Sequence, residues 1–194
     1  MKLILSSCDF SNDESREVIY QNLPKPIEEC RLLYIPNDRA CPETIASDVY
    51  CVRMQEFGFK KENVIVFDHT RSDNFRKLNI DIIYVGGGNT FGIYDKIRKC
   101  NFDKDIIDYV KSGITYIGGS AGAYIVTQNI EHVLKYDDNN VEMTDFNGLG
   151  LFDGVILCHY TYQRKFDFDE LCRISKYKAY YLTDSDSIVC FHEI

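Results

Sequence analysis

Ile114-Thr115-Tyr116-Ile117-Gly118-Gly119-Ser120-Ala121-Gly122-Ala123-Tyr124-Ile125-Val126 is the stretch whose reading decides the fold. Ile114 to Ile117 is a short apolar, β-prone run and reads as a buried strand. Glycines interrupt it abruptly, and Ala121 to Val126 resumes as an apolar segment able to open a helix. A strand that turns sharply into a helix is the elementary step of an α/β protein.

The same step recurs on either side. Met1 to Ser7 reads as a strand, and Asp13 to Leu23 as a helix stopped by Pro24 and Pro26. Arg31 to Ile35 and Asn63 to Phe67 read as strands. Between them Glu43 to Phe57 reads as one helix, with Ile45, Val49, Val52, Met54 and Phe57 as its apolar stripe and Gly58 as its stop. Ile80 to Val85 is a strand running into Gly86-Gly87-Gly88-Asn89-Thr90. Helices follow over Thr90 to Lys99 and Phe102 to Lys111. Val155 to Cys158 and Ile188 to Phe191 complete the strands, and polar Glu131 to Asn147 reads as an excursion from the sheet. Strands alternating with crossover-length helices predict a three-layer α/β fold, a mostly parallel sheet with helices on both faces. Without repeats, linkers or low-complexity segments, residues 1–194 are expected to form one domain.

Composition narrows the partners. Lys and Arg total 22 against 30 Asp and Glu, a net charge of −8. No basic block stands out, so nucleic acid and anionic membrane are poor candidates. No apolar run approaches the length of a membrane span. Of the eight cysteines, no pair has Cys-x-x-Cys spacing. Met1 to Leu5 runs straight into polar Ser6-Ser7-Cys8-Asp9, too short for the apolar region of a signal peptide. The expectation is a cytoplasmic protein with reduced cysteines and no metal or organic cofactor.

The glycines carry chemistry. Gly118-Gly119-Ser120-Ala121-Gly122 matches the nucleophile elbow Gly-x-Ser-x-Gly, in which a strained turn lifts a serine hydroxyl above the sheet. Small neighbours are required because backbones approach closely there. The Ala121 amide, at a helix start, is placed to stabilise an oxyanion. The bland alternative is a glycine-rich turn in which Ser120 merely caps a helix. The second cluster lies at another strand's C-terminal end, where α/β sheets place ligands. Gly87 or Gly88 is the candidate second oxyanion donor, and Asn89 and Thr90 beside them are candidate substrate contacts. The cluster fits neither a Walker loop nor a dinucleotide fingerprint.

A serine nucleophile needs a base. His69, His132, His159 and His192 are available. His159 directly follows the strand Val155 to Cys158 and so belongs on the rim where Ser120 stands. The acid that orients it is sought in the excursion, among Glu131, Asp137, Asp138, Glu142 and Asp145, with Asp137 and Asp138 leading. Arg164, opening a later helix, is the candidate partner for an acidic substrate side chain. Ser120 and His159 are only 39 positions apart, too few for the elements that separate them in an ordinary α/β-hydrolase.

Taken together, Tyr84-Val85-Gly86-Gly87-Gly88-Asn89-Thr90-Phe91, Gly118-Gly119-Ser120-Ala121-Gly122-Ala123 and Cys158-His159-Tyr160 resemble the S51 serine peptidases. The resemblance runs from the first strand to His159. It implies a fold like the class I glutamine amidotransferase domains, flavodoxin-like, with Ser120 where those enzymes carry cysteine. It also implies a triad of Ser120, His159 and an aspartate from the intervening segment, at Asp137 counting back from the histidine, with Asp138 adjacent. The implied substrate is a short peptide, with cleavage after an N-terminal aspartate in some members. The segment after His159 is shorter here than in those aspartyl dipeptidases. An esterase or amidase with the same machinery, and a non-catalytic binding or sensor protein on the same scaffold, are the competing readings. The chain is expected to act as a monomer or homodimer.

Overall fold

The computed structural model describes residues 1–191. Six strands form the main sheet: β1 (Lys2–Ser6), β2 (Leu32–Ile35), β3 (Val64–Val66), β4 (Ile82–Val85), β5 (Thr115–Gly119) and β8 (Ser187–Phe191), in the order β3-β2-β4-β5-β1-β8. All neighbours pair in parallel except β8, which runs antiparallel to β1 along the edge. The mostly parallel sheet read from the sequence is therefore the one observed. The remaining strands, β6 (Val155–Leu157) and β7 (Ala179–Tyr181), form a separate two-stranded parallel ribbon.

Strand residues alternate between two cores, as the period of two requires. Leu3, Leu5, Leu33, Ile35, Ile83, Val85 and Tyr116 face α4 (Thr90–Lys99), α5 (Phe102–Lys111) and α6 (Ala121–Ile125), whose Phe91, Ile97, Phe102, Ile106 and Ile125 are fully buried. Ile4, Leu32, Tyr34, Ile82, Tyr84 and Ile117 face the other way, onto Ile19 of α1 (Asp13–Gln21) and Met54 of α3 (Val49–Glu56). Burial on both faces explains why these strands read as continuous apolar runs.

Two readings change. The single helix expected over residues 43–57 is two: α2 (Pro42–Ala46) and α3. Ser47 is extended, its hydroxyl donates to the Thr44 carbonyl, and Asp48 stands at the start of α3. Side chains of this type compete with the helical backbone for its own hydrogen bonds. Of the predicted stripe, Met54 is buried whereas Val49 and Val52 are about half exposed. The strand expected at Val155 belongs to the ribbon and not to the main sheet, and β7 was not foreseen. The ribbon packs under α7 (Lys165–Ile174) through Val155, Leu157 and Leu171.

Among the described residues no helix is long and apolar enough to cross a membrane. Excursion residues 131–147 carry one turn of 3-10 helix over Glu131–Lys135 and a single bridge between Asn129 and Asn147.

Candidate active site

Ser120 stands at the C-terminal end of β5 with φ of +47° and ψ of −102°, a conformation that side chains rarely adopt. The turn is held from all sides. The Ser120 amide donates to the Ser6 carbonyl at 2.9 Å, and its carbonyl accepts from Ala123 and Tyr124 in the first turn of α6. The small residues are needed sterically. A Cβ at Gly122 would lie 2.0 Å from the Val85 carbonyl oxygen, and one at Gly118 would lie 2.7 Å from the Gly122 carbonyl oxygen. At Gly119 it would lie 2.1 Å from the carboxylate of Asp9, a buried acid whose pKa is raised by desolvation.

His159 follows β6 and also has positive φ, +54°. Its Nε2 lies 3.0 Å from Ser120 Oγ. Two contacts aim it. Its backbone amide donates to the hydroxyl of buried Ser7 at 2.9 Å, and the amide of Cys158 donates to the Tyr124 hydroxyl of α6 at 3.1 Å. The ribbon and the elbow are thus tied together on both sides of the histidine.

The acid behind His159 is Asp184, a residue the sequence reading did not select. Its Oδ1 lies 2.6 Å from His159 Nδ1. Asp184 sits in the loop between β7 and β8. Ser7 fixes that loop by donating to the Leu182 carbonyl, Asn12 donates to the Asp184 carbonyl, and Asp186 accepts from the amide and hydroxyl of Thr183. The hydrogen bond from His159 holds the Asp184 carboxyl below its ordinary range.

The structure corrects the expectation for Asp137 and Asp138. Asp137 Oδ2 accepts from the Thr90 amide at 2.7 Å, and the Asp138 carbonyl accepts from the Asn89 side chain at 2.9 Å. Both tie the excursion to the second glycine turn where α4 starts, and neither is hydrogen-bonded to His159. Asn89 is itself spoken for, since its Oδ1 caps α4 by accepting from the Gly92 amide at 2.8 Å. Thr90 is fully buried. The two residues expected to touch substrate therefore build the turn. Of the two glycines, Gly87 is beside the serine, a Cβ there lying 3.7 Å from Ser120 Cβ. Gly88, at φ +147°, instead abuts Asn37 and Asp38. Ala121 opens α6, so its amide is among the first-turn donors that a helix leaves without intrahelical partners.

Arg164 lies close by. It donates to the Cys158 carbonyl at 2.9 Å and stacks over the Tyr136 ring at 4.4 Å. Of the other histidines, His132 bonds the Ile156 carbonyl at 2.7 Å, and burial depresses its pKa to about 4. Burial also lowers the pKa of His69. His192 is outside the described residues. A cavity of about 600 Å³ lined by His132, Leu134, Leu171 and Ile174 opens at Val155, at the opposite end of β6 from His159, and has no part in this constellation.

Hydroxyl, imidazole and carboxylate hydrogen-bonded in series at the strand ends of an α/β sheet define the serine-hydrolase class. Comparison with known proteins narrows it: residues 2–192 match the model of peptidase family S51, and the chain belongs to that family. An uncharacterized peptidase of Listeria monocytogenes is 39% identical over 82 residues, 41% of this chain and 40% of that one. Peptidase E of Salmonella arizonae is 41% identical over 81 residues, 42% of this chain and 34% of that one. The aligned stretches thus span less than half of these relatives. Among solved structures, one from Listeria monocytogenes EGD-e named for peptidase E superposes with a TM-score of 0.75 at 24% identity, covering 97% of this chain and 93% of that one. A peptidase from an acI-B1 Actinobacterium gives 0.56 at 13% identity, covering 97% and 82%. At these identities the structures speak for the fold.

Proposed function

We propose that the chain is a serine peptidase acting on short peptides through an acyl-enzyme, with Ser120 as nucleophile, His159 as general base and then acid, and Asp184 as the group orienting the imidazole. The observation that carries the reading is the continuous line from Ser120 Oγ to His159 Nε2 at 3.0 Å and from His159 Nδ1 to Asp184 Oδ1 at 2.6 Å.

In this mechanism Nδ1–H donates to the Asp184 carboxylate, which leaves the Nε2 lone pair facing the hydroxyl. Nε2 takes the Ser120 proton as Oγ attacks the peptide carbonyl. The negative charge that forms on the carbonyl oxygen is met by the amides of Ala121 and Gly87. The protonated imidazole, stabilised by Asp184, gives its proton to the departing amine. Water then attacks the ester by the same steps. Arg164, beside His159, is the cation best placed to favour an acidic substrate side chain, which would make aspartyl peptides the first class to try.

The test is hydrolysis of a dipeptide and short-peptide set, with aspartate and other residues in first position, by the wild type and by Ser120→Ala. Hydrolysis by the wild type that Ser120→Ala abolishes is the expected result. Equal rates in the two proteins refute the nucleophile. Turnover of esters but of no peptide refutes the substrate class and leaves the machinery standing.

A further inference from the structure

Cys8 lies at the end of the loop leaving β1 and has no part in the mechanism above. Its thiol nevertheless lies beside Asp184: one ligand atom each of Cys8, His159 and Asp184 lies within 4.8 Å of the others. Thiolate, imidazole and carboxylate are the three ligand types that zinc prefers, and three protein ligands with one open position is the usual composition of an accessible zinc site. We propose that Cys8, His159 Nδ1 and Asp184 form a binding site for a zinc-like divalent cation, and that its occupation shuts off the serine machinery; the second half rests on the peptidase reading.

The distances suit the ion with little movement. With Zn–S of about 2.3 Å and Zn–N and Zn–O of about 2.0 Å, tetrahedral ligands stand roughly 3.3–3.5 Å apart. Nδ1 and the Asp184 oxygen, now 2.6 Å apart, would part by under about 1 Å, and the sulfur, within 4.8 Å of both, would close by at most about 1.3 Å. Both Cys8 and His159 are partly exposed and Asp184 is exposed, so an ion can reach them. Acidic groups surround the thiol: after burial, the charges of Asp184 and Asp9 raise the Cys8 pKa, with Arg164 as the permanent cation acting on Asp184.

The effect on chemistry follows from the tautomer. A neutral imidazole carries one proton. With the metal on Nδ1, that proton sits on Nε2, which then donates toward Ser120 and cannot accept from it. Asp184 is diverted at the same time. Binding displaces the Cys8 thiol proton to solvent, so one proton is released per ion bound.

The experiment uses the full chain, stripped with chelator and titrated with Co²⁺. The wild type is expected to give a near-ultraviolet thiolate-to-cobalt charge-transfer band that Zn²⁺ abolishes by competition. Cys8→Ser and His159→Gln are both expected to lose that band, with folding checked by circular dichroism. No band in the wild type, or an equal band in Cys8→Ser, overturns the site. On peptide substrate, Zn²⁺ is expected to inhibit the wild type at least about tenfold relative to its own metal-free rate, and Cys8→Ser much less. Equal inhibition of both overturns the regulatory half. A chain that cleaves no peptide yet shows the Cys8-dependent band refutes the peptidase reading and supports the metal site.

Discussion

Replacing Asp184 by asparagine isolates what the carboxylate does. Asp184→Asn keeps the size of the side chain and removes the charge. The carboxyl is held below its ordinary range chiefly by the His159 hydrogen bond, so at neutral pH it is ionised and the 2.6 Å contact is charge-assisted. Hydrogen bonds to a charged group contribute about 1.5–3 kcal/mol, equivalent to roughly 10-fold to 150-fold in rate if the interaction is needed only in the transition state. Buried triad aspartates cost about 10⁴ when converted to asparagine. Asp184 is 62% exposed, so solvent screens it and the smaller range applies. The expected outcome is a fall in kcat/KM of about 10-fold to 100-fold, carried by kcat, with KM within about threefold. The assay is steady-state peptide hydrolysis, run beside Asp137→Asn, which retains an acceptor oxygen for the Thr90 amide. An Asp184→Asn enzyme within about twofold of wild type refutes the role, as does an equally large loss in Asp137→Asn.

Three other outcomes follow from the same geometry. Ser7→Ala strips a hydroxyl that serves both the His159 amide and the Leu182 carbonyl; it should cost about 1–3 kcal/mol in thermal or denaturant unfolding and lower kcat more than it raises KM. Gly122→Ala drives a methyl against the Val85 carbonyl and should destabilise by about 3 kcal/mol or more, read as a lower Tm. His132 is neutral when folded, its pKa depressed to about 4 by burial, so below its unfolded value the unfolded state binds more protons and stability falls as pH falls. From about pH 6.5 down to about 4 that loss amounts to at most about 3 kcal/mol, and unfolding of His132→Gln should show a flatter dependence over that window.

The parts of this site that local sequence expresses were readable, and those set by tertiary return were not. The elbow around Ser120 is written in five consecutive residues because steric demand forces small side chains there. His159 was found because it directly follows an apolar run, even though that run belongs to the ribbon and not to the main sheet. Asp184 lies 25 positions beyond His159, in the polar run Thr183-Asp184-Ser185-Asp186 that reads as any surface turn. Its approach depends on β7, three residues and so too short for a periodicity to reveal it. The available signal was positional: a polar loop just before a strand that runs antiparallel to β1 at its edge must pass the C-terminal rim of the sheet, where Ser120 stands. Asp137 and Asp138 led among the excursion's acids, with Asp137 the position the family resemblance implies, but the Asp137 carboxylate is taken by the Thr90 amide, a capping role that only the packed excursion reveals.

The most direct test of the central claim is covalent. The full chain is treated with a serine-directed phosphonate, digested, and the adduct is mapped by mass spectrometry in the wild type, His159→Gln and Asp184→Asn. The account predicts one adduct, on Ser120, formed more slowly in Asp184→Asn and far more slowly in His159→Gln. An adduct on another residue, or labelling of Ser120 at the same rate in all three proteins, would contradict it.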